Sequence, residues 1–378
     1  MLDFKKLSKI DFRLIPVLGI LMLISLLVIS CATSEMTPSG FEERIFTPYV
    51  VSQAKWFFIG TLVFICTAAF DYRKLHEWTW LLYALMIITL LGLFFTKTIV
   101  GVQRWYRIPL IGISFQPSET AKLIVVITLS WFLERYSDRA TRISTLFWAG
   151  IIVGIPFLLI LKQPDLGSSL VLIPMTLMML YFGNIHPKIV KGLTYVALVF
   201  LIFITSIFLG LIPHEIVKPM ATKVLKEYQL KRLEPGTHHQ KASETAIAIG
   251  GLTGTGWRKA EYTSGGWLPA AWTDSVFPSY AEQFGLVGVI FLISLFYILL
   301  YLCFQVTAAA PNLFGRLLAA GITGYIAIHI LINIGMMTGF LPITGVPLVL
   351  ISYGGTSTLI TMAALGLLQS IYSRRFMF

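Results

Sequence analysis

The chain has 378 residues, of which 56% are hydrophobic and only 12% are charged. Its mean hydropathy of +0.80 lies far above the range of soluble proteins, so the composition excludes a soluble enzyme and predicts a polytopic membrane protein. The net charge of +11 suits a protein that rests on anionic membrane lipids, and nothing in the sequence indicates a nucleic-acid partner.

Windows of about 20 apolar residues predict an all-α fold with about ten transmembrane helices. The whole chain, 1–378, then forms a single integral membrane domain. The predicted spans are 14–32, 50–70, 78–95, 118–133, 145–161, 168–183, 193–212, 276–302, 316–339 and 353–372.

An even number of spans places both termini on one side of the membrane. Basic residues precede the first span, fill alternate connections and follow the last span, so the positive-inside rule predicts that both termini are cytoplasmic. The long polar segment 213–275, between the seventh and eighth spans, is then a large extracytoplasmic loop. Its eight lysines and arginines suggest an anionic ligand outside, although six acids dilute that argument.

Two regions of this loop have helical spacing. Residues 215–232 combine apolar positions with a lysine-rich face, which predicts an amphipathic helix at the membrane interface. Residues 242–249 predict a short helix that ends in a glycine run. That run follows no strand, so it is a poor phosphate loop, and we expect the adjacent His238-His239 pair to be a solvated turn rather than a zinc site.

The segment before the fourth span contains Arg104 and the motif Gln116-Pro-Ser-Glu119, followed by Lys122. Proline suits the first helical turn and Ser118 is a plausible cap, so Glu119 and Lys122 lie three apart on one helical face. One interpretation is an internal ion pair that pins two helices. The other is that Arg104 and Lys122 bind phosphate oxygens while Glu119 orients them or helps to hold a cation.

The turn Gln163-Pro-Asp165 has the same form and places a second acid at the start of a helix. The helix dipole alone is sufficient to favour an acid there. Two turns of this kind at one membrane face nevertheless favour a shared cavity.

The long loop ends in an aromatic segment that contains Trp267, Trp272 and Asp274, with Glu282 further on. Asp274 could cap the eighth span, and Glu282 could pair helices. Partial desolvation by the aromatic rings would instead raise the affinity of Asp274 for a proton, as suits a general base. The rings could stack on sugars, and they are equally typical of a membrane interface.

The last outer connection, 333–357, is dense in glycine and proline and includes Ser352-Tyr-Gly-Gly355. Irregular backbone at membrane depth is tolerated where it lines a cavity, although a tight hairpin would explain part of this composition.

Taken in chain order, these motifs resemble the SEDS family (shape, elongation, division, sporulation). The turn Gly345-Val-Pro-Leu348 is more similar to the rod-shape-determining, RodA-like branch than to the division branch. The motifs that carry the resemblance are Arg104-Trp105, Gln116-Pro-Ser-Glu119 with Lys122, Gln163-Pro-Asp165, Gly250-Gly-Leu-Thr-Gly254, Thr273-Asp274, Ala281-Glu282 and Ser352-Tyr-Gly-Gly355.

The resemblance implies a ten-helix peptidoglycan glycosyltransferase that polymerises lipid II at the outer face of the bacterial cytoplasmic membrane during elongation and shape maintenance. It implies release of undecaprenyl diphosphate and a class B penicillin-binding transpeptidase as partner. Asp274 matches the family's essential loop acid, and we take it as the candidate general base. The candidate substrate-binding residues are Arg104, Lys122, Glu119, Gln116, Ser118, Gln163, Asp165, Trp267, Glu282 and Ser352.

A divalent cation, Mg²⁺ or Mn²⁺, is possible near Glu119 or Asp165, and no organic cofactor is expected. The sequence also departs from the family: Pro269 is followed by Ala270, where many relatives carry a glutamate. Two alternatives stay open at this point. One is a flippase for lipid-linked diphosphate, and the other is a non-catalytic scaffold for the transpeptidase.

Overall fold

The computed structural model describes residues 3–34, 36–37, 40–41, 45–96, 104–108, 113–212 and 236–376. The predicted amphipathic helix at 215–232 and most of the loop's cations lie outside these residues. Within them the chain is almost entirely helical. Its α-helices are α1 (Leu14–Ala32), α2 (Pro48–Ala69), α3 (Leu75–Gly92), α4 (Pro117–Arg135), α5 (Ile143–Lys162), α6 (Leu166–Phe182), α7 (Pro187–Phe208), α8 (His238–Gly250), α9 (Glu261–Ser264), α10 (Val276–Ala309), α11 (Leu313–Met337) and α12 (Gly355–Ser373).

Each of the ten predicted spans coincides with one of these helices, and α8 and α9 lie in the loop between the seventh and eighth spans. Seven helices are long and apolar enough to cross a bilayer, and α6 is apolar but shorter. The remaining two, α4 and α12, are more polar but most of their side chains are buried. Polar side chains that face other helices need no lipid-compatible surface, so the all-α polytopic membrane fold is confirmed.

Two short antiparallel hairpins accompany the helices. The first pairs β1 (Met36–Thr37) with β2 (Gly40–Phe41), and the second pairs β3 (Tyr106–Ile108) with β4 (Ile113–Phe115). The Tyr106 hydroxyl donates a hydrogen bond to the Thr89 carbonyl (2.8 Å), and the Thr356 hydroxyl donates to the Ser114 carbonyl (3.0 Å). The second hairpin is therefore attached to both α3 and α12.

Helix α11 is the centre of the bundle. It packs against α10, α6 and α4, and 72% of its most apolar stretch is buried. In helix α7, by contrast, only 6% of the most apolar stretch is buried, so nearly all of its side chains point away from the rest of the protein. Helices α2 and α12 form another extensive contact, where Gly366 lies so close to Phe64 and Thr67 that a Cβ atom would collide with them. Small residues allow such close helix approach in membranes.

Helix α10 is broken at Gly285, which has a φ of 61°. The backbone groups freed by the break bond to the glycine-rich segment 251–256, so this segment closes a helix break instead of binding phosphate. The four bonds run from Thr255 N to Glu282 O (2.9 Å), Gly256 N to Gln283 O (3.0 Å), Leu286 N to Gly251 O (2.9 Å) and Val287 N to Leu252 O (3.1 Å).

Ion pairs cluster where α1 begins and α12 ends, which is the end predicted to be cytoplasmic. Arg13 pairs with Asp11 (2.8 Å), and Arg73 pairs with Asp71 (2.8 Å). The Arg374 guanidinium also reaches Asp71 (3.8 Å) and donates to the carbonyl of Ala69 at the end of α2 (2.9 Å). The Arg374 contacts join the second and last spans at this end of the bundle.

Candidate active site

The candidate residues gather at the other end of the bundle, where α4, α6, α10 and α12 begin and α11 ends. The connection between α11 and α12 folds across this end. A Cβ atom on Gly167 would lie 2.7 Å from the Thr344 carbonyl oxygen, and one on Gly345 would lie 3.3 Å from Asp274 Oδ2. The start of α6, the turn at 344–348 and the Asp274 carboxylate are therefore close neighbours.

The turn that carries Asp274 is fixed through its backbone. The Ser352 hydroxyl donates to the Thr273 carbonyl (2.6 Å), and Asn333 Nδ2 donates to the Asp274 carbonyl (3.0 Å). Asn333 Nδ2 also donates to the Val346 carbonyl (2.7 Å). The Asp274 side chain is half-buried, so its carboxylate is partly desolvated and still reachable from outside.

Lys122 is fully buried and lies in the middle of a polar chain between α4 and α11. Its Nζ donates to Glu119 Oε1 (2.7 Å) and lies 2.8 Å from His329 Nε2. Because an ammonium group only donates, His329 Nε2 accepts and the ring proton sits on Nδ1, which faces the Pro347 carbonyl (3.4 Å). The ion pair itself lies within α4, so it does not pin two helices, whereas the Lys122–His329 contact joins α4 to α11 and links the charge to the turn at 344–348.

Two acceptor oxygens of this network have no hydrogen-bond partner among the residues that the structure describes. They are Glu119 Oε2 and Asn333 Oδ1, and both are buried. Buried polar atoms are normally paired, so unpaired acceptors at a candidate site point to a bound water, a proton or a ligand. The network therefore has capacity for further polar contacts between Lys122 and the Asp274 turn.

The two Gln-Pro-acid turns contact one another directly, which places both at one site. Asp165 Oδ2 accepts from Gln116 Nε2 (3.1 Å) and from the Ser118 hydroxyl (2.9 Å). Asp165 Oδ1 accepts from the Ser168 amide (3.2 Å) and so caps the start of α6. Asp165 therefore caps α6, where the helix dipole favours an acid, and it also connects the start of α6 to the start of α4.

Gln163 and Arg104 lie beside this junction. The Gln163 side-chain amide donates to the Leu90 carbonyl (2.8 Å), and the backbone carbonyl of Gln163 accepts from Arg104 Nε (3.2 Å). The Arg104 side chain is half-buried at the edge of the site. Gln163 therefore attaches the end of α5 to α3 and helps to position the Arg104 guanidinium.

Glu282 and Trp267 are placed differently from the other candidates. The Glu282 carboxylate accepts from the amides of Tyr262 and Thr263 (both 3.0 Å), so its oxygens hold α9 against α10. It lies eight positions beyond Asp274, roughly 12 Å along a helix. The Trp267 side chain is 64% exposed and stands at the outer surface of the loop.

The expectation for His239 was wrong. His238 is exposed, but His239 is half-buried in the first turn of α8, and its Nε2 lies 2.6 Å from the Ser275 hydroxyl. Burial lowers the pKa of His239 below its ordinary value of 6.5. No local sequence signal predicts this contact, since 36 residues separate the two partners.

Sequence reasoning also missed His329, Asn333 and Tyr49 as neighbours of the site. His329 and Asn333 are four apart in an apolar helix, and such intramembrane polar residues are a signal that could have found them. The Tyr49 ring packs on Trp272 (5.4 Å between centroids) and on Tyr353 (5.5 Å), next to the Asp274 turn.

The available donor atoms indicate what kind of divalent-cation site the protein could form. Among the described residues, no group of three or more His, Cys, Asp or Glu side chains could hold a metal. Both Asp165 oxygens are occupied by hydrogen bonds, whereas Glu119 has one unpaired oxygen. Magnesium commonly binds through one or two carboxylates together with substrate phosphates. The residues therefore fit a cation that the substrate would share with Glu119, and do not fit a cage built by the protein alone.

Fold and site together define a polytopic, mainly helical membrane protein with a one-sided polar site. The chain belongs to the family of cell cycle proteins that comprises FtsW, RodA and SpoVE, whose sequence profile matches residues 10–375. This confirms the resemblance seen in the sequence motifs.

Curated relatives carry both branch names. The peptidoglycan glycosyltransferase MrdB of Escherichia coli K12 is 31% identical over 84% of each chain. The peptidoglycan glycosyltransferase RodA of Treponema pallidum is 26% identical over 97% of this chain and 98% of the relative. A probable FtsW of Trichlorobacter lovleyi is 28% identical over 97% and 94%.

Solved structures share the fold. One chain of a peptidoglycan synthase complex that coordinates polymerization and crosslinking has a TM-score of 0.72 and 24% identity, covering 98% of this chain and 99% of that one. The rod shape determining protein RodA of Thermus thermophilus has a TM-score of 0.68 and 23% identity, covering 98% of both chains.

Proposed function

We propose that this protein is a peptidoglycan glycosyltransferase that polymerises lipid II into glycan strands during cell elongation and shape maintenance. The observation that carries the proposal is family membership with a glycosyltransferase relative at 31% identity over 84% of each chain. It is supported by a half-buried acid, Asp274, whose backbone is bound by Asn333, and by a buried cation, Lys122, whose partner His329 faces the adjoining turn at Pro347.

Asp274 is the proposed general base. In this scheme its carboxylate takes the proton from the acceptor sugar hydroxyl, and the freed oxygen attacks the anomeric carbon of the donor with inversion. A new C–O bond forms as the bond from the anomeric carbon to the diphosphate oxygen breaks. The bonding pair leaves on undecaprenyl diphosphate, so negative charge develops at the leaving group.

Arg104 and Lys122 are the proposed stabilisers of that charge, because preorganised cations in a desolvated site lower the barrier to charge separation. Glu119 holds Lys122 in place (2.7 Å) and has one oxygen available for a shared Mg²⁺ or Mn²⁺. Such a cation, when bound, would supply further charge neutralisation at the diphosphate.

The other candidate residues have two proposed roles: some hold the site in shape, and one contacts the substrate. Gln116 and Ser118 both donate to Asp165, and Ser352 holds the Asp274 turn, so their proposed role is to shape the substrate cavity. The exposed Trp267 ring is proposed to stack on a sugar or peptide stem.

The proposed setting is the bacterial cytoplasmic membrane, with both termini cytoplasmic and the site outside. The proposed partner is a class B penicillin-binding transpeptidase, because a chain of the same fold occurs in a peptidoglycan synthase complex. A flippase would need access from both faces. The described network of Asp274, Asn333, His329, Lys122 and Glu119 instead lies at one end of the helices, which favours a transferase.

The test is glycan-strand formation from lipid II by the purified protein with a cognate class B transpeptidase and a divalent cation. We expect polymer from wild type and a loss of at least 100-fold in Asp274→Asn, since a missing general base costs about 10²–10⁴ in rate. Asp138→Asn, at an exposed acid between α4 and α5, is the matched control and should keep full activity. Polymer from Asp274→Asn at the wild-type rate would refute the role of Asp274, and no polymer from wild type would favour transport or scaffolding.

A further inference from the structure

The turn around Asp274 is held at three consecutive residues from three directions. Ser352 binds the Thr273 carbonyl, and Asn333 binds the Asp274 carbonyl. The third contact comes from the loop itself, where His239 Nε2 lies 2.6 Å from the hydroxyl of the fully buried Ser275. The first two contacts come from the α11–α12 region, so His239 supplies the only one of these three that depends on the extracytoplasmic loop.

The His239 ring can hold Ser275 in either tautomer. A neutral imidazole has one protonated and one unprotonated nitrogen, so Nε2 either accepts from the Ser275 hydroxyl or donates to it. The ring therefore anchors the end of the turn at 269–275.

The same turn is closed by its own backbone. The amides of Thr273 and Ser275 both donate to the Ala270 carbonyl (3.0 and 3.1 Å). Ala270 has a φ of 52°, in the left-handed region that is costly for a residue with a side chain. A turn of this kind persists when neighbouring groups over-determine it, and His239 is one of these groups.

Helix α8 is a firm support for the ring. Its first turn is capped by the Thr237 hydroxyl, which accepts from the Gln240 amide (3.3 Å). At its other end, a Cβ atom on Gly250 would collide with the Ala281 carbonyl, so α8 lies directly on the first turns of α10. His239 thus reaches Ser275 from a helix that is packed on the same element that Ser275 begins.

We propose that His239 is a positioning residue that holds the Asp274 turn in its active geometry through Ser275. The proposal rests on the proposed function, because it assigns a role toward the reaction of Asp274. His239 does not touch substrate in this scheme. A displacement of about 1 Å at a catalytic group can cost roughly 100-fold in rate, so a residue acting through another still has a large effect on turnover.

The kinetic test compares three variants in the lipid II assay. In His239→Ala we expect kcat to fall roughly tenfold to a hundredfold, with KM changed by less than about twofold, since the change displaces a reacting group and leaves substrate contacts intact. His239→Gln retains an acceptor for the Ser275 hydroxyl and should recover much of the loss. His238→Ala, at the exposed neighbour, is the matched control and should equal wild type.

A second measurement is independent of activity. Hydrogen–deuterium exchange of peptides covering 270–276 should accelerate in His239→Ala and stay unchanged in His238→Ala, because the amides of 273 and 275 lose their protection when the turn opens. Unchanged exchange in His239→Ala overturns the proposal, and so does accelerated exchange with wild-type kcat. Accelerated exchange in a protein whose wild type makes no polymer would leave the positioning role standing and refute the proposed function instead.

Discussion

Replacement of Asn333 by leucine is the sharpest test of the polar network at the site. Asn333→Leu keeps the branching of the side chain, in a bulkier form, but removes two hydrogen bonds, of 3.0 Å to the Asp274 carbonyl and 2.7 Å to the Val346 carbonyl. Each bond contributes about 1 kcal/mol net, and the two carbonyls left unpaired add a desolvation cost, so we expect a total of about 2–4 kcal/mol.

That cost is divided between stability and turnover. If about 3 kcal/mol, the middle of this range, were lost entirely from transition-state stabilisation, kcat would fall roughly 100-fold. We therefore expect glycan synthesis by Asn333→Leu to fall about 10- to 100-fold and the thermal midpoint in detergent to decrease. Both are measured on purified protein, the first with lipid II and the second by scanning fluorimetry.

Two controls make the result decisive. Ser294→Leu introduces the same side chain at an exposed position of α10, where the hydroxyl donates to the Ile290 carbonyl of the same helix (2.8 Å), and it should be neutral. In an Asp274→Asn background, Asn333→Leu should cause little further loss of activity, because coupled residues are not additive. Wild-type turnover in Asn333→Leu, or full additivity with Asp274→Asn, would refute the argument.

Three further outcomes are expected from thermal unfolding in detergent. Lys122→Met should lower the free energy of unfolding by about 3–5 kcal/mol, because it leaves the buried Glu119 carboxylate unpaired. Adding Glu119→Gln should restore much of the lost stability. A double variant as unstable as the single variant would contradict the prediction. Gly254→Ala should lower the thermal midpoint, since φ is +81° and a Cβ atom would collide with the Gln283 carbonyl. Gly150→Ala is the control and should leave the midpoint unchanged, because a Cβ atom there has no neighbour within 4 Å. Equal midpoints for the two variants would argue against the closed helix break. Burial lowers the pKa of His239, so below about pH 6.5 the unfolded chain binds more protons than the folded protein. The stability of the folded protein should therefore fall as the pH drops below about 6.5. If His239→Gln shows the same dependence of stability on pH, His239 is excluded as its cause.

Local sequence patterns determined the membrane fold. Apolar windows mark the ten spans because a bilayer requires about 20 lipid-compatible residues in succession, whatever the rest of the chain does. Local chemistry also located Asp274 and the two Gln-Pro-acid turns, since a proline, a cap and an acid at a helix start are encoded within a few residues. The short helix predicted at 242–249 was found as α8 for the same reason.

The tertiary structure alone decided how these pieces act together. Asn333 reaches Asp274 across 59 positions of sequence, and Lys122 reaches His329 across 207. Glu282 proved to hold α9, and the glycine run proved to close the break at Gly285. Such contacts follow from which helix ends the bundle brings together, because burial in a common interior forces polar groups to pair wherever a partner is found. A sequence shows which side chains need a partner, whereas only the packed helices determine which partner each one meets.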